Sequence, residues 1–241
     1  MEYKYQAIVL GKVDVGETDR MYVFYTKEAG KIRLPAYGVR KPQAKLAGNL
    51  ETITHAEIFV AKSRGKGRIT GVIPTDAFLE LKKDFDTLEK VFWVFGIFGK
   101  LVTQEEKDER IFNLLLDYLR AMEGVFHDGI SDKTKVDILT FGFVFKFFHF
   151  LGYGLEVNKC VVCGEKLQLG ENFFEIEHGG AVCKKCSTRV GRRVSITDES
   201  VKLIRIFLEN KMSNLGRIKV KEDGLRNLRL VAAETIRWIV E

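Results

Sequence analysis

Four cysteines, the whole complement of this chain, constrain its fold more than any other feature. They form two Cys-x-x-Cys pairs, Cys160 with Cys163 and Cys183 with Cys186. A Cys-x-x-Cys turn lets two thiolates of one short loop reach one metal ion, and four sulfur ligands at about 2.3 Å complete the tetrahedral shell of zinc. The spacing therefore predicts a zinc ribbon with one structural Zn²⁺ per chain and no open coordination position for catalysis.

The alternatives for these cysteines are two disulfides or a thioredoxin-like redox pair. Disulfide frameworks are typical of small secreted chains, whereas this chain has 241 residues, of which 46% are hydrophobic. Its first residues lack the apolar core of an export signal, and no segment has the length and apolar character of a membrane-spanning helix. We therefore expect a cytoplasmic protein, and the cysteine spacing favours zinc.

Residues 1–76 have the pattern of short β-strands. Runs rich in β-branched and aromatic residues alternate with turn signals such as Gly16, Gly30 and Gly38. The predicted strands are 5–10, 21–25, 31–36, 56–60 and 67–73. Five strands in so short a stretch predict a closed barrel of the oligonucleotide-binding (OB) type.

From residue 77 onward the apolar residues recur at three and four positions, which predicts an all-helical domain over 77–241. We expect a first helix that is capped by Thr75 and Asp76, and further helices over about 105–126, 132–151, 197–211 and 225–240. The zinc ribbon, at about 157–193, is inserted between two of them. The predicted fold class is therefore α+β: an N-terminal five-stranded OB-type β-barrel over 1–76, followed by an all-helical domain that carries the four-cysteine ribbon.

Basic residues gather at three places, where glycines or turn residues separate them. The formal net charge of +6 favours a polyanionic partner, and side chains on exposed loops are within reach of phosphates. Tyr37, beside the first group, is the ring that we expect to stack on a base. The alternative is that these groups are solvated faces and that Tyr37 packs in the core. The groups are Arg40, Lys41 and Lys45; Lys62, Arg64, Lys66 and Arg68; and, as additional contacts in the ribbon, Lys184, Lys185, Arg189, Arg192 and Arg193.

No pattern of catalytic residues is evident in the sequence. The phosphate-loop motif Gly-x-x-x-x-Gly-Lys-Ser/Thr does not occur. Asp14, Glu17 and Asp19 are the carboxylates that would hold Mg²⁺ in a nuclease, although carboxylates in a glycine-bearing turn usually cap the loop. His149 lies within an apolar segment and is predicted to be a core residue. We therefore expect a protein that is not an enzyme.

Short motifs and the cysteine segment follow one another along the whole chain in a specific order. The motifs are Ala7-Ile8-Val9-Leu10, Gly16-Glu17-Thr18-Asp19, Thr26-Lys27-Glu28-Ala29-Gly30-Lys31, Gly38-Val39-Arg40-Lys41, Leu151-Gly152-Tyr153 and a Cys-x-x-Cys-Gly segment followed by Gly-Gly-x-x-Cys-x-x-Cys. This combination resembles the RecO family of bacterial recombination mediators.

The resemblance implies an OB barrel, a helical domain and a zinc ribbon. It also implies binding to single- and double-stranded DNA, annealing of complementary strands, and cooperation with the RecR protein and the single-strand-binding protein to load the RecA recombinase. We therefore expect a nucleoid-associated mediator of DNA recombination and repair that is not bound to a membrane.

Helical domains of this family accept the acidic, apolar-ended C-terminal tail of the single-strand-binding protein. By this resemblance, the phenylalanine-rich stretch 141–150 would line such a pocket, with Lys135, Lys146 or Arg205 at its rim. The alternative is that this helix, which is apolar nearly all round, packs in the centre of a bundle.

Two other function classes stay open. One is a protein-only adaptor that binds through the ribbon and the apolar helix, and a shallow salt dependence of DNA binding would favour it. The other, with less support, is a metal-dependent nuclease, which Mg²⁺-stimulated strand cleavage that is lost in Asp19→Ala would favour.

Overall fold

The structure is a computed structural model, and its described residues are 1–41, 43–44, 46–62, 67–127, 130–220 and 222–240. The chain divides into two compact units: unit 1 comprises 1–83 and 95–119, and unit 2 comprises 84–94 and 120–241. The N-terminal strands end at Asp76, but unit 1 also includes helical segments that lie beyond it. A boundary between folding domains at 76 and 77 therefore stays a prediction.

Unit 1 contains a five-stranded antiparallel sheet in the order β3-β2-β1-β4-β5. The long first strand pairs with β4 through its first half and with β2 through its second half, while the edge strands β3 and β5 also approach each other. This curled arrangement confirms the predicted OB-type architecture. The strands are Glu2–Val15 (β1), Asp19–Thr26 (β2), Gly30–Ala36 (β3), His55–Ala61 (β4) and Arg68–Asp76 (β5).

Alternating side chains of these strands form the core of unit 1. Ala7 and Val9 of β1 and Tyr22 and Phe24 of β2 are fully buried and pack in one cluster. Because successive side chains of a strand point to opposite faces, this period-two burial leaves the other face for solvent or for helices. The sequence runs that predicted strands therefore coincide with the inward-facing residues of the barrel.

Seven α-helices lie in the described part of the chain. Two helices begin where the sequence predicted, each at a side chain that caps it: the Asp132 carboxylate accepts from the Lys135 N–H at 3.2 Å, and the Thr197 hydroxyl accepts from the Ser200 N–H at 3.2 Å. None of the described helices combines the length and the apolar character needed to cross a membrane. The helices are Leu79–Lys83 (α1), Phe85–Leu101 (α2), Glu109–Glu123 (α3), Lys133–Phe150 (α4), Asp198–Glu209 (α5), Met212–Leu215 (α6) and Glu222–Val240 (α7).

Thr75 and Asp76 do not cap the first helix, so that prediction is wrong. Both residues belong to β5, and Asp76 is paired with His55 of β4. The strand continues because backbone pairing with β4 persists to its last residue, and a pattern of helical periodicity downstream cannot reveal this pairing. The helix begins instead at Leu79.

Helix α4 forms the centre of unit 2 and packs against α5, α6 and α7. Phe143, Phe145, Phe147 and Phe148 are fully buried, which supports the core-packing alternative for the phenylalanine-rich stretch. His149, which was predicted to be a core residue, is exposed. It lies in the last turn of α4, where one face of the helix reaches solvent.

A three-stranded sheet in the order β10-β8-β9 lies between α4 and α5 in the chain. Its strand β9 ends at Cys183, and Cys186 follows in the next turn. Small β elements flank α4 on both sides, since a short hairpin precedes the helix and the three-stranded sheet follows it. The hairpin strands are Phe126–His127 (β6) and Ile130–Ser131 (β7), and the ribbon strands are Asn172–Glu175 (β8), Gly180–Cys183 (β9) and Arg193–Ile196 (β10). The predicted insertion of the four-cysteine segment between long helices is confirmed.

Candidate metal centre and nucleic-acid surface

The four cysteines converge on one point although the two pairs are distant in sequence. All four Sγ atoms lie within 4.8 Å of one another, and those of Cys163 and Cys183 are 4.0 Å apart. None is in a disulfide. A tetrahedral zinc ion with Zn–S bonds of about 2.3 Å requires S···S distances of about 3.8 Å, so small adjustments of these side chains suffice to hold the ion.

Backbone hydrogen bonds shape each Cys-x-x-Cys turn. In the first, the Cys160 N–H donates to the Glu165 carbonyl and the Gly164 N–H donates to the Cys160 carbonyl, both at 2.8 Å. Gly164 has a φ of +75°, which favours glycine at this position. The Cys183 N–H approaches Cys160 Sγ at 3.5 Å, so one turn donates toward a sulfur of the other.

A close backbone approach brings the second cysteine pair onto the first. Val161 N–H donates to the Ala181 carbonyl at 3.0 Å, and Ala181 N–H donates to the Glu156 carbonyl at 2.7 Å. A Cβ atom at Gly180 would overlap Val161 Cγ1 and lie 3.0 Å from the Glu156 carbonyl oxygen. The absence of a side chain at Gly180 therefore allows the two cysteine-bearing segments to approach this closely.

The thiols differ in their tendency to ionise. Burial disfavours the Cys160 thiolate, but N–H groups of Cys163, Cys183 and Val162 outweigh it and lower the pKa of Cys160 to about 6. Burial raises the pKa of Cys186 to about 12, and the neighbouring thiols add to this effect. Four thiolates so close together repel one another, and a divalent cation is the group that offsets this repulsion.

The first basic group is only partly available to a ligand. Arg40 Nε lies 3.4 Å from Asp14 Oδ2, and its guanidinium also donates to the Gly16 carbonyl at 3.1 Å. Lys41 is exposed and Tyr37 is 60% exposed, so the alternative that Tyr37 packs in the core does not hold. Lys45 lies outside the described residues.

The second basic group is at the adjoining ends of β4 and β5. Lys62 and Arg68 are both exposed, and Arg68 pairs with Ala61 across the sheet. Arg64 and Lys66 lie outside the described residues. The two described cations therefore lie close together at one end of the barrel.

The side chains of the third basic group, in the ribbon, contact several different neighbours. Lys184 forms an ion pair with Glu171 at 2.6 Å, and Arg192 forms one with Glu234 at 3.1 Å. The Arg193 guanidinium lies 5.7 Å from the centre of the Phe173 ring. Two further members of this group, Lys185 and Arg189, are exposed.

Two family models match this chain. The description of one is "Recombination protein O N terminal", over residues 1–78, and that of the other is "Recombination protein O C terminal", over residues 97–241. The chain belongs to the RecO family. The resemblance that the motifs indicated is thereby confirmed.

Curated RecO proteins align with nearly the entire chain. A protein named "DNA repair protein RecO" from Dehalococcoides mccartyi strain 195 is 29% identical over 241 residues, which are 100% of this chain and 91% of that protein. The protein of the same name from Halalkalibacterium halodurans is 28% identical over 232 residues, which are 96% of this chain and 87% of that protein. A third, from Bacillus pumilus, is 25% identical over 231 residues, 96% of this chain and 86% of that protein.

The turn carboxylates of this RecO chain have local structural roles. Asp14 accepts from Arg20 Nε at 2.7 Å, and this hydrogen bond holds the pKa of Asp14 below its usual value. Asp19 accepts from the Gly38 N–H at 2.7 Å and from the Thr18 hydroxyl at 2.8 Å, and these bonds lower its pKa. The prediction that these carboxylates cap the loop therefore describes Asp19, whereas Asp14 forms ion pairs with the side chains of Arg20 and Arg40.

The sequence pointed to Asp14 only as a possible Mg²⁺ ligand or loop cap and did not reveal that Asp14 sets the availability of Arg40. No local signal could have found this partnership, since 26 positions separate the two residues. Only the fold brings them together, because the Arg40 N–H donates to the Thr18 carbonyl in the turn after β1 at 2.9 Å.

The cations proposed to rim a tail-binding pocket on the RecO helical region already have partners in unit 2. Lys146 Nζ donates to the Leu208 carbonyl at 3.4 Å, and burial lowers the pKa of Lys146. Arg205 Nε donates to the Val157 carbonyl at 3.0 Å, and Lys135 forms an ion pair with Asp132 at 3.3 Å. A tail would have to compete with these contacts.

Proposed function

We propose that this RecO protein is a DNA-binding recombination mediator and not an enzyme. It binds single- and double-stranded DNA and anneals complementary strands. With the RecR protein and the tail of the single-strand-binding protein as partners, it helps to load the RecA recombinase on coated single strands. Family membership carries the proposal, because the two family models match residues 1–78 and 97–241.

The mechanism requires neutralisation of phosphates and no bond chemistry. Annealing is opposed by repulsion between two phosphate backbones, and each lysine or arginine that binds a phosphate releases condensed counterions. Lys41, Lys62 and Arg68 are exposed on the barrel, and Tyr37 offers a ring for base stacking beside Lys41. These side chains supply affinity without reading sequence.

The proposed role of the four cysteines is to hold one structural Zn²⁺. Cys160, Cys163, Cys183 and Cys186 provide the four sulfur ligands that a closed tetrahedral site needs, and their Sγ atoms already lie within 4.8 Å of one another. Bound zinc supplies folding free energy to the ribbon and takes no part in a reaction. The ribbon then presents Lys185 and Arg189 on a fixed scaffold.

A salt series tests the DNA-binding proposal. Fluorescence anisotropy of a labelled single strand is measured with wild type, with Lys41→Gln and with a control, Lys100→Gln, which removes an exposed lysine of α2. We expect wild-type affinity to fall steeply with salt, and Lys41→Gln to reduce the slope of log K against log salt by about 0.7. The control should keep the wild-type slope.

Other outcomes of this series identify the competing functions. Absence of binding at low salt would contradict the mediator and favour the protein-only adaptor. Cleavage of the labelled strand in the presence of Mg²⁺ would favour the nuclease. For the mediator itself, the readout is annealing of complementary strands coated with single-strand-binding protein, which should be faster with the protein than without it.

A further inference from the structure

Unit 1 contains a cavity of about 560 Å³ at the end of the barrel where β1 and β3 begin and β4 ends. Apolar side chains of Ile32, Leu34 and Val60 line part of it. Its volume is within the roughly 300–1,000 Å³ of sites that bind small molecules. The cavity is therefore large enough for a ligand and has an apolar surface to receive one.

A segment distant in sequence forms a further wall of this cavity. Gln104 forms a parallel bridge with Lys31 at the start of β3, and the Glu105 N–H donates to the Lys31 carbonyl at 3.1 Å. Glu105 has a φ of +62°, a conformation that non-glycine residues rarely adopt. Gly30 lies against the Glu106 backbone so closely that a Cβ atom would overlap it. The wall is thus fixed to the barrel by backbone contacts.

Two parallel tyrosine rings lead from the cavity toward solvent. Tyr5 lines the cavity and is half-buried. Its ring stacks on that of Tyr3, with 6.2 Å between centroids and 6° between planes, and Tyr3 is 37% exposed. Aromatic rings at the edge of a groove are the surfaces on which the bases of single strands stack.

The cations that line the cavity are available to an anion. Among the described residues, no carboxylate or carbonyl is paired with the side chains of Arg33, Lys62 or Lys107, and all three are exposed. Lys31, in contrast, donates to the Val102 carbonyl at 3.0 Å near the end of α2. The Glu28 carboxylate is occupied as well, because it accepts from the Gln6 N–H at 3.0 Å.

We propose that this cavity binds one nucleotide of a single DNA strand. The base lies against Tyr5 and the apolar side chains, and the adjoining phosphates lie against Arg33, Lys62 and Lys107. The inference deepens the proposed DNA binding and rests on it. An acidic peptide would match the three cations equally well, but the parallel rings of Tyr3 and Tyr5 favour a planar ligand.

Photo-crosslinking and matched variants of the full chain test the proposal. A single strand of about 15 nucleotides, which is long enough for one OB fold, carries 5-iodouracil and is irradiated in complex with the protein. We expect the cross-linked peptide to contain Tyr5. Tyr5→Leu should weaken binding by about fivefold or more, because a stacked base contributes at least about 1 kcal/mol, whereas Tyr5→Phe keeps the ring and should bind as wild type.

The charge contacts are tested in the same titration. Arg33→Gln should reduce the salt slope by about 0.7, whereas Lys100→Gln, which changes the same charge outside the cavity, should not. Circular dichroism and thermal unfolding establish that each variant is folded. If Tyr5→Leu does not fold, the cross-link and the effect of Arg33→Gln decide the question alone.

The possible results distinguish failure of the cavity inference from failure of the proposed function. If wild type binds the strand but cross-links elsewhere, and Tyr5→Leu binds equally well, the inference is wrong and the mediator stands. If wild type binds no strand at all, both fail. If Arg33→Gln weakens binding of a labelled peptide of alternating aspartate and leucine and leaves strand binding unchanged, the cavity is a docking site for protein and the inference is wrong.

Discussion

Arg40 illustrates at the scale of single residues why a basic cluster in a sequence is not yet a binding surface. The Arg40 Nε lies 3.4 Å from Asp14 Oδ2, while Arg20 Nε holds the other oxygen of the same carboxylate at 2.7 Å. One carboxylate therefore restrains two arginines. A phosphate that approaches Arg40 has to displace Asp14, so this carboxylate weakens the attraction of the first basic group for DNA.

Removal of the Asp14 charge should strengthen DNA binding. In Asp14→Asn the Arg40 guanidinium is free to contact a phosphate. The negative slope of log K against log salt should therefore become steeper by about 0.7. The gain in affinity should be about fivefold at roughly 0.1 M salt and should vanish toward 1 M, as measured by anisotropy with a labelled single strand.

Glu17→Gln is the matched control for this effect. Glu17 is an exposed carboxylate in the same turn, so its removal changes the net charge equally but leaves the Arg40 contact in place. An equal gain in both variants would show that net charge alone is responsible. Asp14 would then exert no specific restraint on Arg40.

His55 should contribute to the stability of unit 1 through both ring nitrogens. Nδ1 lies 2.8 Å from Asp76 Oδ2 and Nε2 lies 3.0 Å from Gln6 Oε1, and the side chain is buried. His55→Leu removes both hydrogen bonds at similar volume and should lower the free energy of unfolding by about 1–3 kcal/mol, as measured by urea denaturation. His149→Leu, at the exposed end of α4, should change it by less than about 0.5 kcal/mol. A wild-type urea midpoint in His55→Leu would contradict this role.

At the scale of elements, two helical glycines have opposite surroundings. A Cβ atom at Gly142 in α4 would overlap Leu215 Cδ1 of α6, whereas nothing lies within 4 Å of the corresponding position at Gly96 in α2. Gly142 therefore permits the close packing of α4 against α6. Gly96 lies on an exposed face of α2, where no close contact requires glycine.

Alanine substitutions at these two positions should change stability in opposite directions. Gly96→Ala should raise the free energy of unfolding by up to about 1 kcal/mol, because alanine is the better helix former. Gly142→Ala has the same gain in propensity, but overpacking against Leu215 costs about 1–3 kcal/mol, so the net change should be a loss. Urea denaturation of both variants measures the difference, and equal stabilisation would show that Leu215 moves aside without cost.

The elements that the sequence predicted best are those with strong local signals. The caps Asp132 and Thr197 start α4 and α5, and all five barrel strands were predicted by their β-branched and aromatic residues. Thr75 and Asp76 were misassigned because both can cap a helix, and the competing signal, the pairing of β5 with β4, is not local. Tertiary pairing overrides a cap preference of about 1 kcal/mol.

At the scale of the whole molecule, removal of zinc should affect the two units differently. All four cysteines lie in unit 2, which also contains the buried α4, whereas the barrel strands lie in unit 1. We expect about one equivalent of zinc per chain, and we expect a chelator or Cys183→Ser to lower the thermal transition of unit 2 because metal binding supplies folding free energy.

Amide hydrogen exchange locates the effect of zinc removal. Protection should be lost in β8 and β9 and retained in β1 and β2. Val162→Ser, an exposed position between two ligands, is the control and should retain zinc. Equal loss of protection in the barrel strands would contradict the assignment of the metal to unit 2 alone.

The candidate sites differ in how far sequence alone could predict them. The cysteine centre was predictable because its two halves are local motifs with a recognisable spacing. The cavity beside Tyr5 was not, because its walls come from the starts of β1 and β3, the end of β4 and residues 104–107, and only folding brings these segments together. The restraint of Arg40 by Asp14 was hidden for the same reason.

The contact between Lys31 and residues 104 and 105 also bears on the solubility of the barrel. β3 is an edge strand in the order of the sheet, and the unpaired N–H and C=O groups of an edge can recruit a strand of another molecule and start aggregation. The parallel bridge from Gln104 and the hydrogen bond from Glu105 cover this edge at its first residues. The chain thereby hinders sheet extension from one copy to the next at the start of β3.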